Sequence, residues 1–153
     1  MSRGSKKIRD LLQNQDMSTP ISTISPEVSV RYIVNDVDPC ISFYTTLLGF
    51  QVVMHPAPEF AWLSRGNFRL LLSKPSGIGG GGQAMPDGAI PAPGGWNRFQ
   101  LEVDNLEALV ADLKSKNAQF RNEIVIGIGG KQILLKDPSG NLIELFQPSR
   151  ISQ

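Results

Sequence analysis

Cysteine is nearly missing from this chain: Cys40 is the only one among 153 residues, which excludes an internal disulfide framework and suits a reducing compartment. Histidine is as scarce, with His55 alone. An excess of one charge is also absent, since 15 Lys and Arg face 14 Asp and Glu, for a formal net charge of +1. A protein that coats nucleic acid or an anionic membrane needs a marked basic excess, so neither is expected as a partner. No apolar run approaches the roughly 20 residues that span a bilayer. Arg3, Lys6, Lys7 and Arg9 are followed by a polar stretch without the apolar core of a signal peptide, so a cytoplasmic globular protein is the expectation. What is present is 41% apolar and 19% charged residues, a balance that excludes disorder and fibrous folds. The length suits one domain, or two small halves sharing one core.

Residues 1–26 are polar, with Ser, Thr and Pro clustered at 17–26, and read as a flexible extension; Ile8, Leu11 and Leu12 allow a short amphipathic turn within it. From Val28 the pattern tightens. Val30, Tyr32 and Val34 alternate with Ser29, Arg31 and Ile33, the signature of a strand with one face on a core. Asp38 is placed to cap a helix with Pro39 in its first turn. Ile41, Tyr44, Leu47 and Leu48 line one side of that helix, and Gly49 ends it. Strands are predicted at 50–55, 60–64 and 68–73. Residues 75–95 then form a loop holding eight of the 15 glycines and four of the 11 prolines.

Beyond the loop the same order returns. Phe99, Leu101 and Val103 alternate along a strand. Asp104 and Asn105 offer a cap, and Leu106, Leu109, Val110 and Leu113 line a helix. Strands are predicted at 119–126, 132–136 and 142–147. Strand, helix and three strands thus occur twice, offset by about seventy residues, so two units pool one core. The expected organisation is an extension over 1–26 and one domain over 27–149. It divides into a first module at 27–75, the Gly/Pro-rich loop at 76–95 and a second module at 96–149.

The run Val34-Asn-Asp-Val-Asp-Pro-Cys-Ile-Ser-Phe-Tyr-Thr-Thr-Leu-Leu-Gly-Phe50, with Val103-Asp-Asn-Leu106 and the closing Lys136-Asp-Pro-Ser-Gly-Asn-Leu-Ile-Glu-Leu-Phe146, resembles the vicinal oxygen chelate superfamily. That superfamily contains glyoxalases, bleomycin-resistance proteins and extradiol dioxygenases. The resemblance implies an α+β fold of two tandem βαβββ modules forming a curved mixed sheet cup, usually in a homodimer. It also implies four positions around a divalent metal, which fall here on Ser29, Leu71, Arg98 and Glu144. Only Glu144 has the chemistry of a ligand, whereas such a site needs about three. Arg98 cannot lose its proton. At about 4 Å a unit charge pair is worth on the order of 4 kcal/mol at an effective dielectric of 20, so a divalent ion would be repelled twice as strongly while Glu144 is attracted. The expectation is therefore no metal and no cofactor.

Two readings of Arg98 and Glu144 stay open. In one, the cation stands where a metal would and anchors an oxyanion; in the other, an ion pair closes a vacant polar hole. Arg31 and Gln100 join Arg98 as substrate-binding candidates, which favours an anionic or carbonyl-bearing ligand, and Trp62 is a candidate wall of the cup. Trp96 could serve the same way. If there is catalysis of a lyase or isomerase type, Glu144 is the base and Arg98 steadies the enolate. The alternatives are a metal-dependent lyase, isomerase or dioxygenase of the superfamily, and a dimeric protein that sequesters an antibiotic. His55 reads as an exposed turn residue and Cys40 as a small hydrophobe. The glycine run at 77–82 fails as a phosphate loop because no Lys-Ser or Lys-Thr pair and no helix follows it; it is a lid or a linker.

Overall fold

The computed structural model describes residues 23–76 and 78–150. The short apolar turn considered near Ile8 lies outside them. The first module runs β1 (Ser29–Ile33), α1 (Val37–Leu48), β2 (Gln51–Ala57), β3 (Phe60–Arg65) and β4 (Phe68–Ser73). The second runs β5 (Arg98–Glu102), α2 (Leu106–Ser115), β6 (Gln119–Phe120), β7 (Val125–Ile126), β8 (Gly130–Lys136) and β9 (Leu142–Pro148). The first sheet has the order β1-β4-β3-β2 and the second β5-β9-β8-β6, with β7 also on β8. In each, the first strand lies parallel to the last and the remaining pairs are antiparallel. This is the α+β, paired-module architecture that the repeat implied.

Strand parity decides what is buried. Tyr32 and Val34 enter the core from the first strand, and Leu70, Leu72, Ala61 and Leu63 join them from β4 and β3. Ile143, Leu145, Ile133 and Leu135 do the same in the second sheet, and Val37, Cys40, Tyr44, Leu106 and Leu113 descend from the helices. One continuous cluster results, with Phe99 of β5 packed on Tyr32 and Phe68 of the first module at ring separations of 5.4 and 4.7 Å. The halves also exchange polar contacts. Tyr32 donates its hydroxyl to the Leu142 carbonyl, and the Asn141 amide donates to the Ile33 carbonyl at 2.8 Å.

Two local expectations need correction. α1 begins at Val37, so Asp36 is its N-cap and Asp38 lies in the first turn. Asp36 makes no side-chain cap bond; it accepts from Lys74 Nζ at 3.1 Å. Gly49 does end the helix, in the left-handed region at φ 73°. The strand expected over 119–126 is interrupted: β6 pairs Phe120 with Leu135, and pairing resumes at Val125–Gln132, two residues out of register. The cause is a side chain. Asn122 Oδ1 takes the Leu134 N–H at 2.9 Å, supplying the acceptor that a ladder carbonyl would otherwise provide. No helix among the described residues is long and apolar enough to cross a membrane.

Candidate functional site

The parallel pairing of β5 with β9 sets Gln100 directly beside Glu144, on the face turned away from the core, and Arg98 two residues earlier shares that face. The three side chains meet. Arg98 donates to Glu144 Oε1 from Nη2 at 2.9 Å and from Nε at 3.2 Å, while Gln100 Nε2 donates to Oε2. Both carboxylate oxygens are thus engaged by charge-assisted or amide donors. The side chain of Glu144 is 10% exposed and that of Arg98 31%, so the acid forms the floor and the guanidinium the accessible lip. Arg98 Nη1 also donates to the Trp96 carbonyl at 3.3 Å. Trp96 is exposed, and Arg121 stacks over its ring at 4.5 Å.

On the corresponding face of the first sheet, direct cross-strand partners line up Arg31, Leu71 and Trp62. Arg31 donates to Ser73 Oγ at 2.7 Å. Trp62 carries Arg69 over its ring at 5.1 Å, and its buried indole N–H has no acceptor among the described residues. Arg31 lines a cavity of about 490 Å³ whose lining contains neither Arg98 nor Glu144. The structure therefore brings Arg98, Gln100 and Glu144 together, and it places Arg31 and Trp62 on a face of the other sheet.

The four positions at which a divalent metal would be expected do not fit one. Ser29 and Leu71 offer a hydroxyl and a hydrocarbon, Arg98 is a permanent cation, and Glu144 is already bonded to it. Among the described residues no cluster of three or more His, Cys, Asp or Glu could hold a metal ion. Cys40 is fully buried, with its thiol 3.6 Å from Ser139 Oγ, and burial pushes its pKa up to about 11. It is packing, not a nucleophile. His55 belongs to β2 instead of a turn, 3.6 Å from Asp38 Oδ1.

Sequence reasoning missed Arg121 and Ser73. Parity along β4 could have found Ser73, which shares the face of Leu71; no local pattern announces the stacking of Arg121 on Trp96.

Two βαβββ modules pooling one core define the fold class of this chain. The chain belongs to the glyoxalase/bleomycin resistance protein/dioxygenase superfamily, whose family model matches residues 28–145. It is 33% identical over 141 residues to the mitochondrial methylmalonyl-CoA epimerase of Mus musculus, covering 85% of this chain and 77% of the mouse protein. A superfamily member from Sphaerobacter thermophilus DSM 20745 superposes with a TM-score of 0.64 at 23% identity, covering 81% of this chain and 98% of its own. An antibiotic binding protein from Streptomyces sp. CB03234 gives 0.58 at 21% identity, over 83% and 100% of the two chains. These solved structures share the fold.

Proposed function

We propose that this protein binds a small organic molecule, carboxylate- or carbonyl-bearing in preference to cationic, and does so without a metal. The observation that carries the reading is the Arg98–Glu144–Gln100 cluster: the one ligand-type side chain of the family's metal positions is held by a guanidinium at 2.9 Å. A permanently charged donor there gives an oxyanion what a metal would give it, a fixed positive partner on a partly desolvated floor. Gln100 orients the acid. On the first sheet, Arg31 is a further cation beside a cavity of its own, and Trp62 is an apolar wall. The working form is a cytoplasmic homodimer without nucleic-acid or membrane partners. Val52, Val53 and Met54, exposed on the edge strand β2, give such an assembly apolar surface to cover.

A second reading, proton transfer beside a carbonyl, is favoured by the 33% identity to methylmalonyl-CoA epimerase. In it Glu144 takes the proton from the carbon next to the thioester carbonyl, the electron pair moves onto the carbonyl oxygen, and Arg98 holds the enolate. It requires Arg98 to exchange its bond to Glu144 for one to the substrate.

Calorimetric titration of chelator-treated protein with methylmalonyl-CoA tests the first reading, and deuterium uptake from solvent at its C2 tests the second. Saturable binding weakened by Arg98→Ala supports the proposal. Binding that appears only after a divalent metal is added overturns it.

A further inference from the structure

The cavity beside Arg31 has a roof of glycines, and two of them, Gly81 and Gly82, lie too close to their neighbours for a side chain to fit without a shift. A Cβ built on Gly81 would lie 1.6 Å from Arg31 Nη1 and 2.4 Å from its Cζ, so the guanidinium occupies the space that any side chain would need. At Gly82 a Cβ would lie 2.2 Å from the Lys74 carbonyl oxygen, and Ser76 N–H donates to the Gly82 carbonyl at 3.1 Å. The loop is therefore laid against β4 and over the arginine by close backbone approach. Beneath it, Ser73 is 3% exposed and its hydroxyl accepts from Arg31 Nη1, leaving its own proton to donate.

Arg31 carries an unbalanced charge: its lining neighbour Lys74 is paired with Asp36 and Arg69 of the adjoining strand with Glu27, whereas among the described residues Arg31 has no carboxylate within ion-pair distance. Its remaining guanidinium donors are uncommitted, and the residue stays accessible to solvent. Phe60 and Ile78 in the same lining are apolar; of its other charged members, Lys74 is held by Asp36 at 3.1 Å and Glu59 is an acid, so Arg31 is left as the one uncompensated cation and a single negative charge matches it.

The geometry points to a binding site for a small monocarboxylate with an apolar tail: the carboxylate is taken by Arg31 and the Ser73 hydroxyl under residues 79–82, and the tail lies along Phe60 and Ile78. This deepens the reading above and rests on it only in treating Arg31 as a ligand contact. Because Arg98 does not line the cavity, the two sites can fail separately.

The test is titration of the full chain with hexanoate, followed by NMR or calorimetry, with hexylamine as the cationic counterpart. Saturable binding of hexanoate and none of hexylamine is expected. R31Q and G81A should each raise the Kd tenfold or more, the latter because its methyl group displaces the guanidinium, while K116Q, at a surface lysine outside both sites, leaves it unchanged; melting curves confirm that each variant is folded. Absence of saturable hexanoate binding, equal binding of hexylamine, or an unaltered Kd in R31Q overturns the inference. The methylmalonyl-CoA titration of wild type against Arg98→Ala reads out the other site independently.

Discussion

The Tyr44 hydroxyl, on a helix of the first module, donates at 2.9 Å to Oδ2 of Asp137 in the β8–β9 turn of the second. Asp137 also accepts from Ser139 N–H, Asn141 N–H and the Asn141 side chain at 2.8–3.0 Å, so a buried carboxylate organises the turn and ties the halves together. Burial raises its pKa above the ordinary 3.8, and the hydrogen bonds from Asn141, Tyr44 and Ser139 work against that rise.

Tyr44→Phe removes one of those donors and should cost about 2 kcal/mol, the usual range for a hydrogen bond to a charged group. With a folded pKa above the unfolded one, the contribution of Asp137 to stability is full below 3.8 and is lost as pH rises through the folded value. Loss of the Tyr44 donor raises that value further. The deficit of the variant, measured by denaturant unfolding, is therefore expected to be larger at pH 7 than at pH 4, and an equal deficit at both would count against it.

Arg98→Ala should weaken binding of methylmalonyl-CoA tenfold or more, equivalent to about 1.4 kcal/mol. Titration of folded variant and wild type decides it; an unchanged Kd moves the oxyanion contact elsewhere.

Metal analysis of the purified protein should give well under one equivalent of divalent ion per chain. Added Zn, Ni, Mn or Fe should neither raise its melting temperature nor activate it, because a donor set of Ser29, Leu71, Arg98 and Glu144 gains nothing from a cation. One tightly held equivalent would refute this.

Cys40 should resist a thiol reagent at pH 8 in the native state and react on unfolding, since its pKa of about 11 and its burial both keep it protonated and shielded. Rapid native modification would show that α1 opens readily.

Much of the scaffold was legible because its causes are local. Alternation placed Tyr32 and Val34 inward, Gly49 marked a left-handed helix end, and Asn105 caps α2 by accepting from Ala108 N–H at 3.1 Å. The pairing of Arg98 with Glu144 spans 46 positions, and strand parity alone could not fix it; the family resemblance brought the two together before any coordinates did. Asn122 defeated the strand reading, because a side chain that replaces a ladder carbonyl looks from sequence like one more polar residue. Asp36 displaced Asp38 as the helix cap for a similar reason: both carry the same chemistry, and only the register of the first turn separates them. The closeness of Gly81 to Arg31 has no local signature at all, since the two lie fifty positions apart.

The carbonyl of Trp96 holds one arm of Arg98, and its ring stands 64% exposed under Arg121. Trp62, the other indole, is largely shielded within its sheet. A ligand that draws Arg98 away from the Trp96 carbonyl should therefore change the surroundings of the solvent-facing indole, and its emission is the label-free signal in which to look for occupancy.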